Sequence, residues 1–128
     1  MAIKVLVVDD ERAISDSVCM VLEGSGYQVR GTYSAEEALA VASDFAPDVL
    51  LTDVLMPGMN GFELALRIKA RHPQCKLLLF SGQAATVELA RKFAGEFSQA
   101  KYRYELLPKP LHPTKLLEKV EQALIVAA

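Results

Sequence analysis

Five short apolar segments, each followed by a stretch with helical periodicity, constrain the fold of this chain more than any other feature. The segments are residues 3–8, 27–33, 48–53, 76–80 and 102–107. After the first of them, Ile14, Val18 and Val21 recur at the spacing of one helix face. Strands that alternate with helices form a parallel sheet with helices on both faces, joined by right-handed crossovers. We therefore predict a single α/β domain over residues 1–128, with its core from about residue 3 to residue 125.

Capping and turn residues support this division of the chain. Ser34 and Glu37 have the Ser-x-x-Glu form of a capping box, and the side chain of Asn60 can cap the helix that follows it. Pro113 suits the first turn of the last helix, where an N–H group is not required. Because Pro108 removes a hydrogen-bond donor from the fifth strand, we expect that strand at an edge of the sheet.

Four of the five predicted strands end in a chemically capable side chain. Asp9 and Asp10 follow the first strand, and Asp53 ends the third. Ser81 ends the fourth strand, and Lys109 follows the fifth. The carboxyl ends of parallel strands lie along one edge of a sheet, and open α/β sheets bind their ligands in the crevice at that edge. We therefore expect these five side chains to converge.

The residue types at this edge suit phosphoryl chemistry. Three close carboxylates repel each other unless one is protonated or a cation neutralises them, and Mg²⁺ prefers such hard oxygen ligands. A lysine and a hydroxyl opposite them provide a positive charge and a hydrogen-bond donor for phosphoryl oxygens. An aspartate can itself be the nucleophile. The alternative is that these residues only cap a helix, end a strand or face solvent.

Other classes of site find little support in the sequence. The longest apolar runs, such as Leu77–Phe80, are far too short to span a bilayer, and no signal peptide is evident. We expect a chain without membrane contact that acts in the cytoplasm. Cys19 and Cys75 show no metal-binding spacing and are expected to be reduced thiols. His72 and His112 are expected at the surface or at helix caps.

Charge is unevenly distributed along the chain. Residues 1–64 contain 11 acidic and 3 basic residues, whereas residues 65–128 contain 5 acidic and 11 basic residues. One interpretation is a chance dipole, and the other is an early acidic site with a late basic interaction face. That face would include Lys92, Lys101, Tyr102, Arg103, Lys115 and Lys119. These residues form either an ordinary solvated surface or a docking surface.

Four motifs together resemble the receiver domain of two-component response regulators, of which the chemotaxis receiver is an example. They are Val7-Val8-Asp9-Asp10-Glu11, Thr52-Asp53 with Met56-Pro57-Gly58-Met59-Asn60-Gly61, Phe80-Ser81-Gly82, and Lys109-Pro110. The resemblance extends over residues 3 to 125, and the four motifs in this order are far more specific than any one alone. It implies a flavodoxin-like fold, a doubly wound sheet of five parallel strands in the order 2-1-3-4-5.

The resemblance also implies a role for each site residue. Asp53 would accept a phosphoryl group from the phosphohistidine of a sensor histidine kinase or a phosphotransfer protein. Asp10 would bind Mg²⁺ directly and Asp9 largely through water, together with Asp53 and the backbone carbonyl of Leu55. Such a domain assists its own phosphorylation and dephosphorylation but is not a dedicated enzyme.

Two further residues of the site have implied roles. Ser81 would contact the phosphoryl oxygens. Lys109 would pair with Asp53 and then with the phosphate, and its peptide bond to Pro110 is expected to be cis. Leu55 and Gln83 hold positions that tune the lifetime of the phosphoryl group in the family.

The output of such a domain is a change in its interaction face. A phosphoryl group adds about −1.5 to −2 charge, and the resemblance implies that this biases the fourth helix, fifth strand and fifth helix between two arrangements. A downstream protein would bind that face, and a phosphorylation-dependent homodimer is a further expectation. We expect no direct nucleic acid binding by this domain.

Two departures from the family pattern concern the route of that signal. The family places Tyr or Phe three residues before the lysine, where this chain has Leu106, with Tyr104 and Tyr102 further back. The span of 28 residues from Ser81 to Lys109 is longer than the family pattern, so we expect an extended fourth helix or an extended loop after it.

Three alternative interpretations stay open from the sequence. In the first, the chain is a receiver-fold binding module that no longer uses phosphate. In the second, it is the receiver part of a longer regulator or hybrid kinase. A phosphohydrolase with an aspartyl nucleophile is the third. That enzyme would need an acid or base near Asp53, but the position two residues later is Leu55.

Overall fold

The computed structural model of the protein describes residues 2–82 and 84–125, which form an alternating series of five strands and five helices. The strands are β1 Lys4–Val8, β2 Gln28–Thr32, β3 Val49–Asp53, β4 Lys76–Ser81 and β5 Glu105–Pro108. The helices are α1 Arg12–Gly24, α2 Ala35–Phe45, α3 Gly61–Arg71, α4 Ala85–Ala100 and α5 Pro113–Ile125. The sheet has the order β2-β1-β3-β4-β5, and all neighbouring strands are parallel. The predicted flavodoxin-like α/β fold is confirmed.

Two predicted caps hold the starts of α2 and α3. The hydroxyl of Ser34 accepts a hydrogen bond from the Glu37 N–H at 3.1 Å, and a Glu37 carboxylate oxygen accepts one from the Tyr33 N–H at 2.8 Å. At the start of α3, Oδ1 of Asn60 accepts the Glu63 N–H at 3.0 Å. Each cap satisfies N–H groups that have no partner within the helix itself. The two helices therefore begin where the sequence predicted.

The sheet is buried on both faces, as expected for parallel strands between helices. Alternate side chains of each strand point to opposite faces, so Leu6 and Leu50 join one core cluster while Val5 and Leu51 join the other. Phe62 of α3 is completely buried in the first cluster. The strand register is fixed by this alternation, because a slip of one residue would turn apolar side chains toward the wrong face.

The predicted bounds of the fifth strand were wrong. The prediction covered residues 102–107, whereas β5 runs from Glu105 to Pro108. The Tyr104 ring packs 4.7 Å from the Phe97 ring and 5.4 Å from the Phe62 ring, measured between centroids. This aromatic contact with two helices, rather than strand pairing, explains the β-rich composition there. The edge position of β5 is confirmed, because β4 is its single neighbour in the sheet.

Helix α4 is the longest of the five helices, with 16 residues, and accommodates the extended span before Lys109. Its later turns are anchored in the core through Phe93 and Phe97, which the Phe62 ring contacts at centroid distances of 6.0 and 6.1 Å. Its first turns are less buried, and Val87 is 56% exposed.

None of the described helices has the length and apolar composition of a membrane span.

Both cysteines are free thiols, in agreement with the prediction. Cys75 is buried in the core, and this burial raises the pKa of its thiol to about 12. Cys19 is a residue of α1. Its partial burial, together with the nearby charges of Glu23 and Asp16, raises the pKa of its thiol to about 11. Neither thiol is therefore activated as a nucleophile at neutral pH.

Candidate functional site

Three carboxylates meet at the carboxyl-terminal edge of the sheet. Asp9 and Asp10 follow β1, and Asp53 is the last residue of β3, the neighbouring strand. Each residue offers a carboxylate oxygen, and these oxygens all lie within 4.8 Å of one another. Asp9 is buried, Asp53 is half-buried and Asp10 is exposed. The structure therefore brings together the acidic residues that the strand ends predicted.

The ammonium of Lys109 lies between two of these carboxylates. Its Nζ donates a hydrogen bond to Oδ2 of Asp9 at 2.8 Å and lies 3.4 Å from Oδ2 of Asp53. Lys109 follows β5, at the far side of β4 from Asp53, and its side chain is 20% exposed. The peptide bond from Lys109 to Pro110 is cis, as the resemblance implied. One cation therefore compensates two carboxylates at this edge.

Burial and neighbouring charges set the protonation of this group. Burial raises the pKa of Asp53 and the Asp9 carboxylate raises it further, while Lys109 and the Val54 N–H oppose that change. The Val54 N–H donates to Oδ1 of Asp53 at 3.0 Å. Burial opposes the charge of Lys109, but its pKa is raised because Asp9 and Asp53 stabilise the ammonium more strongly. Lys109 is therefore cationic at neutral pH.

A cavity of about 260 Å³ opens beside Asp53. The described residues that line it are Asp10, Glu11, Asp53, Leu55, Gly82, Thr86 and Lys109. Four of the predicted site residues are in this set, and Asp9 joins the site through its contact with Lys109. Gln83, predicted to tune phosphoryl lifetime, lies outside the described residues.

Ser81 lies at the end of β4 but is not among the described lining residues of the cavity. Its carbonyl accepts a hydrogen bond from the Lys109 N–H at 3.0 Å, and it pairs with Pro108 across the sheet edge. Ser81 therefore helps to position the backbone of Lys109. Its predicted contact with phosphoryl oxygens stays a prediction.

Thr86 was not identified as a site residue from the sequence, and Gly61 was included in a motif without being given a structural role. Thr86 lines the cavity from the first turn of α4 and is buried, although no motif marks it. Gly61 donates its N–H to the Val54 carbonyl at 2.9 Å. A Cβ on Gly61 would overlap the carbonyl oxygen of Asp53 and approach the Cα of Val54 to 3.0 Å. Gly61 therefore allows α3 to start directly against the strand end that carries Asp53.

The donor set at this edge fits a hard divalent cation. It consists of carboxylate oxygens, which suit Mg²⁺, and the described residues form no cluster of cysteine and histidine that would select zinc. Three carboxylates with one ammonium still leave a net negative charge at the site. Leu55, whose backbone carbonyl was expected as a further metal ligand, lines the same cavity.

The predicted interaction face carries both ion pairs and exposed residues. Nζ of Lys119 lies 3.0 Å from Oε2 of Glu105, which joins α5 to β5. Leu106 occupies the position where the family pattern has Tyr or Phe, and it is 39% exposed. The nearby Tyr104 packs instead against the core. The aromatic position of the family pattern is therefore absent from this face.

Comparison with known proteins agrees with this fold and this arrangement of residues. Residues 5–121 match the model of the response regulator receiver domain family. Two solved structures share the fold at a TM-score of 0.82. The first is a CheY-like receiver domain protein from Methanospirillum hungatei, with 30% identity over 97% of this chain and 94% of that chain. The second is the chemotaxis protein CheY4 from Vibrio cholerae, with 28% identity over 97% of this chain and all of that chain.

Two curated relatives are longer than this chain. The DNA-binding transcriptional regulator NtrC of Azospirillum brasilense is 32% identical over 96% of this chain, which spans 24% of that protein. The response regulator MprA of Mycobacterium bovis is 30% identical over 97% of this chain, which spans 51% of that protein. On the match over most of its length, the chain belongs to the family of response regulator receiver domains.

Proposed function

We propose that this receiver domain accepts a phosphoryl group on Asp53 from the phosphohistidine of a sensor histidine kinase or a phosphotransfer protein. The observation that carries the proposal is the position of the Lys109 ammonium between Asp9 and Asp53. A cation held at this point can pair with the carboxylate before transfer and with the phosphoryl group afterwards. The family assignment supports the same function.

The proposed transfer is a displacement at phosphorus. A carboxylate oxygen of Asp53 attacks the phosphorus atom, the P–N bond to the donor imidazole breaks, and the imidazole nitrogen keeps the electron pair and takes up a proton. An aspartyl-phosphate and a neutral histidine result. Deprotonated Asp53 is needed for this attack, and Lys109 opposes the increase in its pKa that burial causes.

Asp9, Asp10, Asp53 and the backbone carbonyl of Leu55 would hold Mg²⁺. When bound, the ion neutralises the acidic cluster and the charge on the phosphoryl oxygens. The other contacts to the phosphoryl group come from side chains of this domain. Lys109 pairs with a phosphoryl oxygen, and the Ser81 hydroxyl donates to another after a local movement toward the cavity.

The phosphorylated domain would signal through α4, β5 and α5. The added charge of about −1.5 to −2 changes the electrostatics at the edge from which these elements extend. A downstream protein binds this face, with a homodimer of the phosphorylated chain as a second partner of the same kind. The domain acts as a switch rather than a dedicated enzyme, and the family assignment supports action in the cytoplasm.

One observation favours a second candidate, a binding module that does not use phosphate. Leu106 stands where the family pattern has an aromatic residue, so the usual aromatic coupling is not available. A domain that forms one part of a longer regulator or a hybrid kinase would use the same phosphoryl site, and the two proposals are compatible.

A phosphorylation assay separates these candidates. The protein is incubated with Mg²⁺ and acetyl phosphate, and intact mass is followed, with the Asp53→Asn variant as control. We expect one phosphoryl adduct on the native protein and none on the variant. A native protein that stays unlabelled under conditions that label an established receiver would favour the binding module. Sustained turnover of many phosphate monoesters would instead indicate a hydrolase.

A further inference from the structure

Thr86 combines deep burial with an unused hydrogen-bonding group. Its side chain is 1% exposed, and its hydroxyl has no hydrogen-bond partner among the described residues. Every other buried side-chain oxygen or nitrogen in the described part of the chain has a hydrogen-bond partner. Burial of an unpaired hydroxyl is unfavourable, because the group loses its water without a replacement. Such a group needs a physical explanation.

The position of Thr86 supplies that explanation. Thr86 lines the cavity of about 260 Å³ that Asp53 and Lys109 also line. One water needs only about 10–15 Å³, so the cavity has room for a phosphoryl group. Thr86 is therefore part of the wall of the proposed phosphoryl site, and its hydroxyl is covered and unpaired in the unmodified protein.

The helix that carries Thr86 adds a second favourable property. Thr86 is in the first turn of α4, and the residue before this helix, Ala84, provides no side-chain cap. The N–H groups of a first helical turn lack partners within the helix and carry partial positive charge. The start of α4 therefore adds partial positive charge to a cavity that Asp10, Glu11 and Asp53 otherwise make acidic, and the hydroxyl adds a directed donor to it.

We propose that Thr86 is a second hydroxyl of the phosphoryl site, and that it donates a hydrogen bond to a phosphoryl oxygen once Asp53 is modified. The inference rests on the proposed function and assigns a positioning role to a residue outside the family motifs. Ser81, the motif hydroxyl, is not among the described residues that line the cavity, whereas Thr86 is. In the unmodified protein the Thr86 hydroxyl stays unpaired, and modification of Asp53 provides its acceptor.

This arrangement links α4 to the state of Asp53. The unfavourable burial of the hydroxyl is present before modification and is relieved after it. The first turn of α4 is therefore more stable against the cavity wall when the phosphoryl group is present. Because this signal passes through the start of α4, it does not require an aromatic side chain in place of Leu106.

The test uses beryllofluoride, an inorganic mimic of a phosphoryl group that binds at an aspartate carboxylate in the presence of Mg²⁺. Binding is measured by ¹⁹F NMR titration and calorimetry on the native protein and on Thr86→Val, which replaces only the hydroxyl with a methyl group. We expect binding to be about ten-fold weaker in the variant, the scale of one hydrogen bond to a charged acceptor. Thr86→Ser keeps the hydroxyl and should restore native affinity.

A matched control comes from the first turn of another helix. Thr114→Val in α5 makes the same chemical change at an exposed residue away from the cavity, and should leave beryllofluoride binding unchanged. In urea denaturation without ligand, Thr86→Val should show a midpoint at or above that of the native protein, because an unpaired buried hydroxyl is removed. This readout separates a loss of binding from a loss of folding.

The outcomes separate the two proposals. If the native protein binds beryllofluoride and Thr86→Val binds it equally well, the role of Thr86 is wrong and the function of Asp53 stands. If Thr86→Val has a clearly lower urea midpoint, its hydroxyl has a structural partner in the unmodified protein and the inference is also wrong. If the native protein binds no beryllofluoride, the phosphoryl site itself is wrong, and the role of Thr86 fails with it.

Discussion

Lys109 donates a hydrogen bond from Nζ to Oδ2 of Asp9 at 2.8 Å, although the two residues are 100 positions apart in the chain. The contact connects the loop after β5 to the end of β1, across β3 and β4. Asp9 has 3% of its side chain exposed, so little solvent is available to compensate its charge. The stability of the site therefore depends on a cation from the other end of the chain.

Removal of this cation should destabilise the fold. We expect Lys109→Met to lower the free energy of unfolding by roughly 1–3 kcal/mol, less than for a completely buried pair because Lys109 is 20% exposed. The raised pKa of Lys109 means that its contribution is present below the ordinary value of 10.5 and is lost as the pH rises through the higher folded-state value. Urea denaturation at pH 7 and in alkaline buffer measures both effects.

The control for this experiment is another lysine in an ion pair. Lys119 pairs with Glu105 at 3.0 Å, but these side chains are 30% and 46% exposed. Lys119→Met should cost less than about 1 kcal/mol, as for other surface pairs. Equal effects of the two substitutions would show that Asp9 does not depend on Lys109.

The raised pKa of Asp53 predicts a variant that is more stable than the native protein. Because the folded chain binds this proton more tightly than the unfolded chain, the contribution of Asp53 is most favourable at low pH and is lost as the pH rises through its folded-state pKa. We expect Asp53→Asn to raise the free energy of unfolding at pH 7 by about 1 kcal/mol, the usual scale of one substitution.

The same measurement in acid provides the internal comparison. The gain from Asp53→Asn should disappear below pH 3.8, the ordinary value for an aspartate, where both states of the native protein hold the proton. Urea denaturation at several pH values without Mg²⁺ gives the curve. A variant that is less stable than the native protein at pH 7 would contradict this account.

Mg²⁺ should stabilise the protein through the acidic cluster. A ligand at 100 times its dissociation constant adds about 2.7 kcal/mol to the free energy of unfolding. We expect Asp10→Asn to remove most of this gain and to change the stability of the metal-free protein by less than about 0.5 kcal/mol, because Asp10 is exposed. Asp44→Asn, at an exposed position of α2, should keep the full gain. Thermal unfolding with and without Mg²⁺ tests all three proteins.

Gly61 should tolerate no side chain. Gly61→Ala would place a Cβ against the carbonyl oxygen of Asp53, so either α3 or the end of β3 must move. We expect a loss of about 1–3 kcal/mol, the usual cost of overpacking. Gly24→Ala is the matched control, because no atom beyond its chain neighbours and its own helix backbone lies within 4 Å of a Cβ there, and alanine favours the helix by up to about 1 kcal/mol. If both variants unfold at the same urea concentration, this contact is not restrictive.

The acidic cluster was predictable because all strands of a parallel sheet end at the same edge. Once the apolar runs before Asp9 and Asp53 are assigned as strands, their carboxyl ends must share one edge. The same geometry brings Lys109 to that edge from a strand far along the chain. Local rules were enough here, since strand direction and strand end define the site.

Other features depend on packing that local rules do not describe. The β-rich composition of residues 102–104 suggested a strand, but the Tyr104 ring packs between two helices. Thr86 lines the cavity from the first turn of α4, and no residue pattern marks that position. The close approach of Gly61 to Asp53 likewise appears only when α3 is packed on the sheet.

The uneven anchoring of α4 has a mechanical consequence. Phe97 fixes the far end of the helix in the core, while Thr86 at the near end lines the cavity beside Asp53. They are eleven positions apart in the chain, a length of about 16 Å at 1.5 Å per residue. The later turns of the helix are therefore fixed in the core by Phe93 and Phe97, while the buried side chain of Thr86 attaches its first turn to the cavity wall. We expect a displacement of this first turn at the cavity to tilt the helix about its core contacts and to move its exposed surface.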